Sequence, residues 1–245
     1  MLVHVAAWSG LRAAELAGLQ VRDFISNGNG ATLAVERTAI DVGGTLTYDT
    51  PKTKGSCRRV PLRVETVAIL TDYLSRHPRK NDPSAPLFPA VTLKAAKPTG
   101  KKATDGPATA KERAQRQAAA LAALGTDEAA EKLELDWTAP VRHHAWYKSV
   151  FRPAVLRANR LASETVLPPN LTFHSLRHTY ASLCVAAGIP PLEISRFMGH
   201  SKVTTTLTIY SHLFPSDHSQ HMMALSALDA LVGPNVVPMR RRVHD

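Results

Sequence analysis

Apolar positions recur along this chain in short helical runs, interrupted by one block of strand-like alternation and one long stretch where they thin out. Leu2 to Trp8 is apolar and breaks at Ser9-Gly10. Leu11 to Leu19 then predicts a short helix with Leu11, Leu16 and Leu19 toward a core, and with Arg12 and Glu15 three residues apart. The chain opens inside an element already under way, with no capping residue before it, so an upstream domain is expected to be missing. From Ala31 the pattern changes to β-type runs: Leu33 and Val35 on to Ile40, a Gly43-Gly44 turn, Thr45 to Thr50, and Arg58 to Leu62. These predict a small antiparallel three-stranded sheet. Between the last two runs PKTKGSCRR reads as a basic hairpin tip, with Lys52, Lys54, Arg58 and Arg59 projecting toward a ligand or, equally on this pattern alone, into solvent.

Arg63 to Arg76 predicts a helix with Val67, Leu70, Thr71 and Leu74 on one face, followed by a Pro-rich connection from Asn81 to Pro89. Residues 93–137 turn to Ala, Lys, Glu, Arg and Thr, and read as an insertion that is helical around Ala110 to Leu124 and otherwise mobile. Trp146 to Leu161 is a further helix. The next, opened by His174, Arg177 and Tyr180, is expected to bury Tyr180, Leu183, Cys184 and Ala187 and to stop at Gly188. Pro191 to Met198 follows, with Pro191 as a first-turn residue. Ser201 is placed to cap one more helix, whose stripe is Val203, Leu207, Tyr210 and Phe214. On that stripe Tyr210 reads first as core. An apolar helix near Met222 to Val232 precedes a basic tail, 233–245.

Composition narrows the partners. Thirty Lys and Arg against twenty Asp and Glu give a formal charge of +10, which favours a polyanion such as nucleic acid over a neutral metabolite. Two distant cysteines, Cys57 and Cys184, exclude a disulfide framework, and no apolar run reaches membrane-spanning length, so a reducing cytoplasm is the expected setting. Length allows one principal domain across residues 1–245.

The order of motifs adds more. Gly10-Leu11-Arg12-Ala13-Ala14-Glu15-Leu16, a basic hairpin, His174-Ser175-Leu176-Arg177-His178-Thr179, Met198-Gly199-His200-Ser201 and Tyr210 together resemble the tyrosine recombinase, or phage integrase, family. The resemblance spans nearly the whole chain outside the insertion. It implies a mainly α-helical α+β catalytic domain that cuts and rejoins double-stranded DNA through a 3′-phosphotyrosyl intermediate. It also implies an amino-terminal core-binding domain, which residues 1 to 30 do not supply. No metal or other cofactor is implied. Such enzymes work as tetramers on DNA, with accessory DNA-bending proteins among possible partners; a monomer is expected without DNA.

Chemistry accounts for the residue types. A phosphodiester repels nucleophiles, and its displacement needs preorganised donors. Arg12 and Arg177 fit a clamp, since a guanidinium stays charged and presents a fork to phosphate oxygens. A structural ion pair is the competing use of Arg12, with Glu15 one turn away. Tyr210 would attack phosphorus, His174 would act as general acid or base, and His200 would donate a hydrogen bond to the phosphate. By resemblance, a hairpin lysine protonates the leaving 5′ oxygen, Lys52 or its rival Lys54, and Glu15 orients the first arginine. Lys54, Arg58 and Arg59 are assigned to DNA binding, and His178 and Ser175 to structure. Two other uses compete: a DNA-binding remnant of the same fold without turnover, and a metal-dependent nuclease. HExxH and CxxC are absent, and no carboxylates cluster beside these histidines.

Overall fold

The run Leu2–Ser9 forms α1, which ends at Gly10 in the left-handed conformation (φ 63°), a turn that glycine adopts without steric cost. In this computed structural model residues 1–28, 30–49, 56–94, 109–164, 166–168, 170–214 and 219–232 are described. The next helix, α2, spans Ala13–Gly18 and starts later than expected, because Arg12 is extended and serves as its N-cap. Glu15 reaches back to accept the Arg12 backbone N–H at 2.7 Å, satisfying a donor that the helix start leaves over.

Strands follow: β1 (Phe24–Asn27), β2 (Gly30–Val35), β3 (Thr38–Val42), β4 (Thr45–Asp49) and β5 (Arg58–Pro61). The pairing departs from expectation. A three-stranded antiparallel sheet has the order β1-β2-β5, while β3 and β4 form their own ladder. So β5 pairs with β2 rather than completing a hairpin with β4. The reason lies in burial: Leu33 sits opposite Val60, and both are fully buried, whereas β4 turns only the half-buried Leu46 toward the core.

Helix α3 (Val64–Ser75) lies where expected and buries Leu70, but Thr66 is inside and Thr71 outside. Thr66 meets the ring of His4 at 3.1 Å. Residues expected to be mobile in the insertion are partly ordered. Strand β6 (Pro89–Leu93) pairs with β7 (Leu133–Pro140), and between them lie α4 (Ala110–Ala123) and α5 (Thr126–Glu131). Ala118, Leu121 and Ala122 of α4 are buried, and Arg157 donates to the carbonyls of Leu121 and Leu124. The rest of the insertion's Lys-rich first half lies outside the described residues.

The expected helix over Trp146 to Leu161 is three pieces: α6 (His143–Trp146), a π-turn at Tyr147–Phe151, and α7 (Arg152–Leu161). Pro153 lacks the N–H an α-turn would use, which accounts for the wider turn just before it. Then come α8 (Ser175–Ala186), α9 (Pro191–Met198), α10 (Val203–Tyr210) and α11 (Ser219–Val232).

Two buried clusters hold these elements. The larger joins α1, α2, the β1-β2-β5 sheet, α3 and α7; the smaller gathers Tyr180, Ala181, Cys184, Val185, Ile194, Met198 and Tyr210. Full burial of Ile194 and Met198 contributes about 1.5–3 kcal/mol each to holding α9 in place. The inward stripe of α8 is rotated from the expected one: Ala181 and Val185 are inside, while Leu183 and Ala187 are exposed. In α10 the buried residues are Thr206 and Tyr210, with Leu207 turned out, and Lys202 rather than Ser201 occupies the N-cap. The three-stranded sheet and the dominant helices make this the α+β, mainly helical class that the sequence implied. Among the described residues no helix is long and apolar enough to cross a membrane. The basic tail, 233–245, falls outside them.

Candidate active site

The C-terminal end of α9 organises the site. A helix leaves its last carbonyls without intrahelical donors and carries partial negative charge there, so cations gather readily. Three successive carbonyls take one arginine each. Phe197 O accepts from Arg58 Nε at 2.7 Å, Met198 O from Arg177 Nη2 at 2.7 Å, and Gly199 O from Arg12 Nη2 at 3.2 Å. Arg12 and Arg177 come from opposite ends of the chain, yet they reach adjacent carbonyls.

Local periodicity explains why two of these side chains point inward. On α8, Arg177 precedes Tyr180, Ala181 and Cys184 by three, four and seven residues, which places it on the buried stripe. Its second guanidinium nitrogen donates to Gly10 O, tying α8 to the end of α1. On β5, Arg58 shares the inward face with Val60, since strand side chains alternate. This corrects the reading of Arg58 as a DNA-facing residue at an exposed tip: its side chain is only 7% exposed. It forks onto Glu15, with Nη1 to Oε1 and Nη2 to Oε2 both at 2.9 Å. Arg59, one residue on, faces out.

Glu15 is the counter-charge to this group. Its side chain, 4% exposed, also accepts from Arg12 Nη1 at 2.9 Å. Burial pushes the carboxyl up, but Arg58 and then Arg12 outweigh it and hold it below the ordinary carboxylate value. One buried carboxylate therefore faces three guanidiniums, and the site keeps a surplus of positive charge. Arg177 pays for its burial in acidity: desolvation, then the charge of Arg12, brings it down to about 10, still cationic at neutral pH.

The histidines surround this charge. His174 occupies the N-cap position of α8, and its ring meets that of His178 edge-on, with centroids 4.9 Å apart. Partial burial, then the neighbouring His178, Arg177 and Arg12, lowers its affinity for a proton. His200 follows Gly199 directly. Burial, then Arg177 and Arg12, brings it down to about 4, so the ring is neutral at pH 7. Its Nδ1 lies 2.8 Å from Oγ1 of the buried Thr206. Tyr210 is 4% exposed, and its ring is part of the smaller core cluster. Its hydroxyl lies 2.8 Å from His178 Nδ1. Burial raises its pKa, against a downward pull from Arg177.

Gly199 carries the geometry of the helix end. It is left-handed (φ 64°), and a Cβ built there would lie 2.6 Å from Arg58 Nη1. Gly199→Ala is expected to cost at least about 1–2 kcal/mol from the backbone alone, and to push Arg58 off Phe197 O as well. A denaturant midpoint measured beside wild type checks it.

A family model described as the phage integrase family matches residues 1–217. The chain belongs to the phage integrase family. A tyrosine recombinase XerC-like protein of Caldanaerobacter subterraneus subsp. tengcongensis is 27% identical over 237 residues, covering 93% of this chain and 49% of that protein. This integrase-family chain therefore spans about half the length of that relative. A putative integrase of Pseudomonas phage Pf1 is 42% identical over 60 residues, 24% of this chain and 17% of that protein. Among solved structures, the Tn1549 transposon integrase in complex with circular intermediate DNA aligns with a TM-score of 0.54 at 22% identity. That alignment covers 94% of this chain and 58% of the other, and it supports the shared fold.

Of the residues singled out from sequence in this integrase-family chain, Arg12, Glu15, Arg177 and His200 meet around the end of α9. His174 and Tyr210 each contact His178. Lys52 and Lys54 lie outside the described residues. The contacts of His178 with Tyr210 and of Thr206 with His200 were not foreseen from sequence, which assigned His178 to structure. The spacing of His174 and His178, four apart on one helix, was the available signal for the former. Among the described residues no three of His, Cys, Asp and Glu are grouped as metal ligands would be.

Proposed function

We propose that this chain is a site-specific DNA recombinase, cleaving and rejoining strands through a covalent 3′-phosphotyrosyl intermediate. The observation that carries this reading is the meeting of Arg12 and Arg177 on adjacent carbonyls beside His200. Each guanidinium has more N–H donors than its protein bonds use, so the pair offers a fork of donors to one phosphate. Tyr210 Oη attacks phosphorus and displaces the 5′ oxygen, conserving the strand's bond energy for the return step. A neutral His200 whose Nδ1 accepts from Thr206 presents Nε2–H to a phosphate oxygen. His174 serves proton transfer on the phosphate side, and a lysine, Lys52 or its rival Lys54, protonates the leaving oxygen. Arg59 contacts the DNA backbone. The partner is double-stranded DNA, with a tetramer assembled on it and a monomer in its absence.

A pool of nicked duplexes of randomised sequence, in which cleavage releases a short fragment and traps the intermediate, tests the reading in the presence of EDTA. A protein–DNA adduct whose linkage maps to Tyr210 is the expected result. Retarded but uncut DNA would identify a binding module instead, and chelator-sensitive cutting without an adduct would identify a nuclease.

The same assay grades the clamp. Arg177→Lys keeps a charge but loses the planar fork, and it cannot reach Gly10 O and Met198 O together. Adduct formation is expected to slow by about 10²–10³-fold, the usual loss when a preorganised donor to a developing negative charge is removed.

A further inference from the structure

We propose that His178, not only His174, takes part in the chemistry: its Nδ1 accepts the proton of Tyr210 as the hydroxyl attacks. This deepens the recombinase reading and rests on it. The geometry is direct. Tyr210 Oη lies 2.8 Å from His178 Nδ1, the distance for proton transfer within a hydrogen bond. Among the described residues His178 is the imidazole bonded to that hydroxyl, while Nδ1 of His200 is engaged by Thr206.

Both partners are held in place. Tyr210 is buried in one cluster with Tyr180, Ile194 and Met198. His178 lies in the first turn of α8, and the His174 ring packs against it edge to face. A phenol in this position needs help, since burial makes the neutral form of Tyr210 more favourable. His178 itself is exposed, so a proton taken at Nδ1 has an outlet, through Nε2, to solvent.

The step balances. The Oη–H bond breaks and the proton goes to Nδ1; the Oη–P bond forms as the P–O5′ bond breaks; and the 5′ oxygen takes a separate proton from the lysine assigned above. Rejoining reverses each transfer, with His178 returning a proton to Oη. His174 is then left to serve the phosphate.

Two experiments test this. In the free protein, nitrogen NMR of labelled histidines should show Nδ1 of His178 as a bare nitrogen accepting a hydrogen bond, with a shift that changes in Tyr210→Phe. A proton resident on Nδ1, donated to Oη, overturns the proposal, and this readout needs neither DNA nor turnover. In the adduct assay, His178→Ala is expected to slow cleavage about 10²–10⁴-fold, the range for losing a proton acceptor. His178→Asn, which retains an acceptor atom near the Nδ1 position but cannot be protonated, should be as slow. A ring-fluorinated tyrosine at position 210, with a more acidic phenol, should shrink the His178→Ala defect at least about tenfold. Restoration by Asn, or a defect that fluorination leaves unchanged, would reduce His178 to a positioning residue. Faster cleavage in His178→Ala would make the bond a latch. Absence of any wild-type adduct would sink the recombinase reading, and with it the transfer step, while the NMR result would still decide which atom carries the proton.

Discussion

Tyr210→Phe is expected to abolish the covalent adduct and to leave folding and DNA retardation close to wild type. The two halves of the side chain do separate work. The ring belongs to the buried cluster with Tyr180, Ile194 and Met198, and phenylalanine fills the same volume. The hydroxyl has His178 as its partner, and that partner is exposed, so it can turn to water when the phenol is gone. The stability lost is therefore about 1 kcal/mol, the net worth of one hydrogen bond. Activity has no such substitute. In the proposed mechanism the hydroxyl is the attacking atom, and its removal takes away the covalent route, a loss on the order of 10⁴-fold or more. Denaturing gel electrophoresis after incubation with nicked duplex reads the adduct, and thermal melting reads the fold. An adduct that persists in the variant would mean another residue is the nucleophile.

Glu15→Ala is expected to injure stability and the site together. Arg58 is nearly as buried as Glu15, and the substitution leaves it charged without its counter-ion. Breaking such a pair from one side costs about 3–5 kcal/mol, a large share of the 5–15 kcal/mol that holds a typical domain together. Arg12 loses its ties from both Nη1 and the backbone N–H, so the clamp loosens as well. Glu15→Ala combined with Arg58→Met should recover much of the stability, because it removes the stranded charge, while cleavage stays impaired.

The pH dependence has a definite sign. The folded-state pKa of Glu15 lies below its ordinary value of 4.5, so the folded protein gives up that proton more readily than the unfolded chain. The stabilisation is complete above about pH 4.5 and is lost as pH falls through the folded value. Wild type should shed stability in that acid window, and Glu15→Ala should lack this component. Denaturant midpoints across an acid series, with the two proteins side by side, measure it.

Much of the fold was legible because burial is written one residue at a time. The 3.6-residue spacing marks α3 and α9 almost to their ends, and in α8 it finds Tyr180 and Cys184 on the buried face. The motif order around Arg12, His174, Arg177, His200 and Tyr210 carried the family. Where local reading slipped, the correction was sometimes within reach: alternation with Val60 turns Arg58 inward, although its company of basic residues made it look like a solvent-facing tip. The split of the expected long helix at Tyr147–Phe151 likewise has a cause in the chain itself, at Pro153.

The sequence by itself thus determined most of the helices, the strand-forming runs between Ala31 and Leu62, the positive charge and the set of candidate groups. Only the tertiary structure decided who meets whom. It paired β5 with β2 rather than β4, brought Arg58, Arg177 and Arg12 onto three consecutive carbonyls at the end of α9, and set the Tyr210 hydroxyl on His178. The physical reason is that periodicity records which face of an element leaves water, whereas a partner across elements depends on how whole helices and strands pack, and that is settled by the shared core.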